Sequence, residues 1–139
     1  MYSPLSRVSG IILEMPSHQS IFASFRHAGD GVVTAFREER NFRVQCLFAV
    51  LSLAAVLFLP LSTVEAGLIV LAATVVLVVE LVNSAVERVV DLAKPRLHHV
   101  AHDTKDIAAA MVLIASSGAV AVGLLVIGPH LLAIFFPKT

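Results

Sequence analysis

Apolar positions along the chain follow two patterns, and the first is a helical period in residues 20–38. Between Ile21 and Phe36, hydrophobic or small residues recur at spacings of three and four, and charged residues take the opposite side. This spacing predicts an amphipathic helix, with Ser20 as a candidate N-cap. Because a charged segment and a long apolar run follow directly, we expect the helix to lie on a membrane surface.

The second pattern consists of three long apolar segments, at about residues 44–61, 64–91 and 105–127. The uncharged runs in the first and third segments are close to the roughly 20 residues that a membrane-spanning helix needs. The second segment is uncharged from residue 66 to residue 79 and then becomes polar. All three are predicted to be transmembrane helices.

Prolines and polar residues mark the ends of these spans. A proline ends the first span, and the short connection after it requires an antiparallel helical hairpin. The second span ends at a basic, histidine-rich loop over residues 94–104. In this loop Asp103 or Thr104 is expected to cap the third span. Gly128 and Pro129, with a short apolar tail, follow the third span at its far end.

Composition agrees with a membrane protein, because 58% of the residues are hydrophobic and 14% are charged, against roughly 25% charged in a soluble domain. The single cysteine, Cys46, excludes a disulfide framework, and no nucleic-acid partner is expected.

Residues 1–19 are interpreted as a poorly ordered or surface-lying leader, and residues 20–139 as one membrane domain. The expected fold is an all-α membrane protein with an N-terminal amphipathic surface helix and three transmembrane helices.

Basic residues indicate the orientation of these spans. Of the 10 Lys and Arg residues, all except Lys138 lie on the N-terminal side of the bilayer in this topology. Since positively charged loops remain in the cytoplasm, the N-terminus and the loop at residues 94–104 are predicted to be cytoplasmic.

A polar stripe at the end of the second span is the candidate functional site. Glu80, Asn83, Glu87 and Asp91 fall on one helix face, directly after an uncharged run. A charge near the bilayer centre costs about 2.5–3.5 kcal/mol on insertion scales. The stripe therefore requires a cation, a polar cavity or a partner helix. The alternative is that these side chains join the helices of a purely structural bundle.

The stripe favours phosphoryl transfer, which needs a divalent cation, a positive charge near the transferred phosphate and a base for the attacking hydroxyl. Glu39 and Glu87 are at matching depth on different helices, and they are candidate Mg²⁺ ligands. Glu80 lies two turns deeper in the bilayer and is the candidate base. Lys105, placed in the first turn of the third span against the helix dipole, indicates an anion nearby.

Other interpretations of the neighbouring charges stay open. Lys105 and Asp106 are also explained by a side chain that reaches the interface and by a helix cap. Arg40 and Arg43 are typical of topology anchors. A cluster of loop histidines has the residue types of a metal site, but its basic surroundings favour a solvated surface: His98, His99 and His102. A small oligomer that translocates protons or cations through Glu80 is the alternative function.

With these residues in view, the chain resembles the bacterial diacylglycerol kinase and undecaprenol kinase family of small membrane lipid kinases. Three segments carry the resemblance: ERNFR at 39–43, ELVNSAVERVVD at 80–91 and KDIAAAMVLIA at 105–115. The first is more similar to the undecaprenol kinase branch. The resemblance implies a homotrimer in the bacterial inner membrane, with composite sites between protomers at the cytoplasmic face.

The resemblance also implies roles for individual residues. Glu80 is the expected proton acceptor, and Glu39 and Glu87 are the expected ligands of Mg²⁺ and ATP. Further ATP contacts are expected from His98, Lys105, Asp106 and His27, the last standing where the family has an aromatic hydroxyl. Contacts with the lipid alcohol are expected from Glu80, Asn83, Asn41, Phe42 and Arg43. The acceptor is diacylglycerol or undecaprenol, and these residues do not distinguish the two.

Overall fold

The computed structural model of the chain describes residues 21–93 and 98–136, except the side chain of His98. Within them lie four helices: α1 (Ile21–Glu38), α2 (Arg40–Phe58), α3 (Thr63–Ala93) and α4 (His98–Phe135). The expected all-α fold is therefore confirmed. The predicted leader at residues 1–19, the candidate cap Ser20, residues 94–97 and Lys138 lie outside the described residues.

The chain forms two compact units, residues 1–31 and residues 32–139. Within the first, the described residues are the helical beginning of α1. The second contains the end of α1 and the three other helices. A helix thus begins where the sequence pattern predicts one, while its place on a membrane surface stays a prediction.

The corner between α1 and α2 consists of a single residue, Glu39. Its backbone is extended, with φ −98° and ψ 115°, and α2 begins directly after it at Arg40. Arg43 Nη1 donates hydrogen bonds to the carbonyls of Phe36 (3.2 Å) and Arg37 (2.9 Å), which satisfies two acceptors at the end of α1. α2 thus begins before the predicted first span at about residue 44, because the charged segment already forms the first turn of the helix.

The predicted hairpin between α2 and α3 is confirmed, and its ends are defined locally. α2 ends at Phe58, and Leu59 is extended (φ −97°, ψ 149°), as the steric demand of Pro60 requires. α3 begins with a reciprocal capping box. The Ser62 N–H donates to Glu65 Oε2 (2.7 Å), and the Glu65 N–H donates to Ser62 Oγ (3.3 Å).

α3 is the central helix of the second unit, because it packs against both α2 and α4. It contributes six buried residues: Ile69, Val76, Glu80, Asn83, Ser84 and Val90. Many large apolar side chains on all three helices remain exposed. α2, α3 and most of α4 are long and apolar enough to cross a membrane, so the chain is a multi-pass membrane protein. The observed α3 extends slightly beyond the predicted 64–91.

α4 is much longer than the predicted third span at residues 105–127. It begins at His98, so the expected loop is wrong over residues 98–104, and the expected cap at Asp103 or Thr104 is wrong with it. The Thr104 hydroxyl donates to the Val100 carbonyl (2.7 Å) inside the helix, and it is therefore engaged within a turn. At the other end α4 continues through Pro129. Membrane helices tolerate the loss of the backbone hydrogen bond that proline removes.

A side-chain pair joins the far ends of α3 and α4. His130 Nε2 lies 3.1 Å from Glu65 Oε1, in the turn after Pro129. Glu65 thus contacts both its own capping partner and the neighbouring helix. The start of α3 and the end of α4 are held together through this one carboxylate.

We expect Ser62→Ala to destabilise the bundle by about 0.5–2 kcal/mol, because it removes the hydroxyl that accepts the Glu65 N–H. The measurement is unfolding by SDS in mixed micelles, followed by circular dichroism. Ser52→Ala, the same change on α2, is the control and should have a smaller effect. Equal losses in both variants would contradict the role of the capping box.

Candidate functional site

The polar stripe of α3 changes from buried to exposed along the helix. Glu80 is 2% exposed and Asn83 is 7% exposed, whereas Glu87 is half-buried and Asp91 is exposed. The α3 backbone alone places these side chains on one face, as the sequence spacing predicts. Packing against the neighbouring helices then removes the first two from solvent.

Two oxygens of this stripe are buried without a hydrogen-bond partner among the described residues, Glu80 Oε2 and Asn83 Oδ1. The Asn83 amide is oriented from its other side, because Nδ2 donates to Glu87 Oε1 (3.0 Å). A buried oxygen left unpaired costs about 1–3 kcal/mol. Buried oxygens without a partner at two neighbouring positions of one helix face are typical of a functional site.

Carboxylates from a second segment approach this stripe. Glu39 and Glu87 are both close enough to Glu80 for their charges to act on it. Glu39 is able to do so because the corner between α1 and α2 presents it toward α3. The structure thus brings together, within one chain, the three carboxylates that the sequence assigns to catalysis and metal binding.

Arg88 contacts the second segment directly. Its Nη2 lies 3.0 Å from Glu38 Oε2 and 3.3 Å from Glu39 Oε1. In the sequence, Arg88 served only as one of the basic residues that indicate orientation, and its contact with Glu38 and Glu39 was missed. The one available signal was that Arg88 directly follows Glu87, which does not identify a partner about 50 residues away.

Lys105 is inside α4, and its predicted place in the first turn is wrong. Its Nζ lies 2.8 Å from Asp91 Oδ1. The ammonium is therefore positioned by a carboxylate of α3, and the argument from the helix dipole no longer applies. The pair joins α3 to α4 at the exposed end of the stripe.

The remaining predicted nucleotide residues lie on exposed helix surfaces. His102 Nδ1 is 3.1 Å from Asp106 Oδ2, and both side chains are exposed. His99 is exposed on α4 and His27 is exposed on α1. The His98 side chain lies outside the described residues. ATP contacts by these residues stay predictions.

Residues 41–43, predicted to contact the lipid substrate, begin α2. Phe42 is 3% exposed and packs in the interior, while Arg43 caps α1. Asn41 is exposed. Phe42 and Arg43 thus have a clear structural role at the corner, and a contact with substrate stays a prediction for all three.

The donor set fits Mg²⁺. The hydrogen bonds found among the described residues use Oε1 of Glu39 and Oε1 of Glu87, which leaves Oε2 of each for a ligand. Mg²⁺ takes one or two protein carboxylates together with substrate phosphates and water. No group of three or more His, Cys, Asp or Glu side chains is placed to hold a metal in the described ranges. An ion held by Glu39 and Glu87 would complete its coordination with water or phosphate oxygens.

A cavity of about 350 Å³ lies between α2, α3 and α4, and we call it the interhelical cavity. Gln45 Nε2 donates to Ser116 Oγ (3.2 Å) at its wall. Val76, which also lines it, precedes Glu80 by one turn of α3. The other lining residues are mostly apolar or small and include Phe48, Ala49, Ile69, Ala73, Val120 and Gly123.

Comparisons with known proteins give a single family. Residues 26–127 match the family described as prokaryotic diacylglycerol kinase. The chain is 37% identical over 116 residues to the diacylglycerol kinase of Synechocystis sp., a match that covers 83% of this chain and 66% of that relative. It is 36% identical over 110 residues to the undecaprenol kinase of Bacillus subtilis, covering 79% of this chain and 89% of that relative. A diacylglycerol kinase of Helicobacter pylori is 33% identical over 94 residues, which cover 68% of this chain and 73% of that relative.

Replacing Glu80 by leucine should raise the free energy of unfolding by about 1–3 kcal/mol, since it removes the buried unpaired oxygen at nearly constant volume. Thermal unfolding in detergent measures the change. The matched control is Glu65→Leu, which removes a carboxylate that has partners and should destabilise the protein. A destabilised Glu80→Leu variant would show that the carboxylate is satisfied in the folded protein.

Proposed function

The chain belongs to the prokaryotic diacylglycerol kinase family, a family of membrane lipid kinases, and we propose that it transfers the γ-phosphate of ATP to the primary hydroxyl of a membrane lipid alcohol. The observation that carries this proposal is the buried carboxylate of Glu80, with an unpaired oxygen and two further carboxylates nearby. An inert structural bundle gains nothing from this arrangement.

In this proposal Glu80 is the general base. The lipid hydroxyl donates a hydrogen bond to Glu80 Oε2, and the proton moves to that oxygen as the hydroxyl oxygen attacks the γ-phosphorus. Burial at 2% exposure keeps bulk water from competing as the acceptor. Asn83, oriented by Glu87, presents its own unpaired oxygen beside the same hydroxyl.

Glu39 and Glu87 would hold Mg²⁺ through their Oε2 atoms, and the ion when bound supplies positive charge against the phosphates. Lys105 supplies a second positive charge at the mouth of the site, where Asp91 fixes its ammonium group. Both charges lie toward the exposed end of the stripe. This suits a soluble nucleotide that enters from water while the lipid enters from the bilayer.

The interhelical cavity is the proposed place for the lipid tail. It is lined mainly by apolar side chains, and the lining residue of α3 nearest to Glu80 in the sequence is Val76, about 6 Å away along the helix at 1.5 Å per residue. A chain that fills the cavity would therefore bring its hydroxyl end to the base. Any acyl or prenyl tail fits this description, so diacylglycerol and undecaprenol are both candidate acceptors.

The proposal includes a homotrimer in the bacterial inner membrane, with the site at the cytoplasmic face. The excess of basic residues at the Glu87 end of α3 supports that orientation. The extensive apolar surface of α2, α3 and α4 is available to lipid and to neighbouring copies. Glu39 of one copy is then able to share a metal ion with Glu87 of its own copy or of an adjacent copy.

We expect purified protein in lipid nanodiscs to transfer label from γ-labelled ATP to diacylglycerol, undecaprenol or both. Glu80→Gln should lower turnover by roughly 10²–10⁴-fold, because the amide does not accept the proton, while the protein stays assembled. Thin-layer chromatography of the lipid extract gives the product. Near-normal turnover of Glu80→Gln would remove Glu80 from its role, and ion flux without a phosphorylated lipid would favour a translocating oligomer.

Gly123→Leu should raise the KM for long-chain lipid alcohols several-fold and leave the KM for ATP unchanged, because the new side chain occupies the interhelical cavity. A Cβ atom added at this position meets no atom within 4 Å, so α4 has room for the first atom of the new side chain. Gly118→Leu, equally open and outside the cavity lining, is the control. Equal lipid KM values for both variants would place the tail elsewhere.

A further inference from the structure

The corner at Glu39 is fixed from two sides. From α2, Arg43 satisfies the last carbonyls of α1, which defines where α1 stops. From α3, Arg88 reaches the carboxylates of Glu38 and Glu39 with a single nitrogen. The backbone of Glu39 is therefore set by one arginine, and its carboxylate by the other.

Arg88 is adjacent in sequence to Glu87, so the two side chains leave the same turn of α3. One turn of α3 thus carries both Glu87, a proposed metal ligand, and Arg88, whose guanidinium group contacts Glu39, the other proposed ligand. Any movement of the α1–α2 corner relative to α3 changes the Arg88 contacts and the distance between Glu39 and Glu87 together. The distance from Arg88 to Glu39 and the distance from Glu39 to Glu87 therefore change together.

Charge provides a second reason for this contact. Glu38, Glu39, Glu80 and Glu87 gather in one region, and Glu39 and Glu87 act electrostatically on Glu80. Like charges at such distances repel, and without a nearby cation the repulsion would turn the Glu39 side chain away from the stripe. Arg88 is the basic residue that contacts two of these carboxylates in the described part of the chain.

We propose that Arg88 is a positioning residue that holds Glu39 beside Glu87, so that the divalent-cation site is formed before the nucleotide arrives. It does so through Glu39 Oε1, and Oε2 of the same carboxylate is left to face the ion. This proposal rests on the proposed function only for the identity of the ion. The positioning itself follows from the contacts of Arg88.

The test is the binding of Mn²⁺ alone, in the absence of nucleotide. Binding is measured from the electron paramagnetic resonance signal of the free ion. Arg88→Gln should weaken Mn²⁺ binding by about 10-fold, the low end for the loss of a group that orients a ligand. Arg88→Lys, which keeps the charge, should recover part of the affinity. Glu38→Gln should weaken binding less than Arg88→Gln, because it removes one of the two carboxylates held by Arg88.

Arg40→Gln is the matched control, since it removes the same charge from the exposed residue next to Glu39. In turnover assays Arg88→Gln should raise the Mg²⁺ concentration required for half-maximal rate and leave the rate at saturating Mg²⁺ nearly unchanged. A purely structural loss would instead lower the rate at saturating Mg²⁺ and leave the Mg²⁺ concentration for half-maximal rate unchanged.

Three results would overturn the proposal. These are wild-type protein that binds no Mn²⁺, Arg88→Gln that binds it as tightly as wild type or more tightly, and Arg40→Gln that weakens it equally. The third would show a general effect of charge. Failure of the proposed function is distinguishable, because it would appear as wild-type protein that binds Mn²⁺ and phosphorylates no lipid.

Discussion

The constraint that the rest of the structure has to offset is the burial of the Glu80 carboxylate between helices. Burying an ionisable side chain without a partner is among the most costly arrangements in a folded protein. This cost is offset by the packing of α3 against α2 and α4, which buries Ile69, Val76 and Val90 of the same helix. The site and part of the packing that offsets its cost thus lie on one helix.

Around this carboxylate, charges are arranged by depth. Two oxygens in the buried part of the stripe have no hydrogen-bond partner among the described residues, whereas its exposed end has Lys105 and Arg88. A lipid hydroxyl is uncharged and donates a hydrogen bond, so it suits the buried end. A nucleotide carries several negative charges, and it suits the end where these two cations and the proposed Mg²⁺ ligands lie. The two proposed substrates therefore require different environments, and α3 provides both within three turns.

The sequence was sufficient for much of this because the decisive features are local. Glu80, Asn83 and Glu87 share a face by helical spacing alone, and uncharged length predicts the spans. The start of α4 was misjudged because charged residues and histidines at a membrane boundary suggest a loop. In the structure, the Thr104 hydroxyl donates to a carbonyl of its own helix and Lys105 pairs with Asp91 of α3. The contacts of Arg88 and the interhelical cavity depend on which helix faces meet, and no periodicity in a single segment contains that information.

The proline in α4 gives the two ends of the bundle different mechanical properties. At the Glu87 end, ion pairs of Arg88 and Lys105 join α3 to the end of α1 and to α4. At the other end, Pro129 removes a backbone hydrogen bond, and His130 contacts Glu65 of α3. Pro129 thus interrupts the backbone hydrogen bonding of α4 at the end remote from the polar stripe. Glu80, Glu87 and Lys105, the groups proposed for chemistry, lie on helical turns without such an interruption.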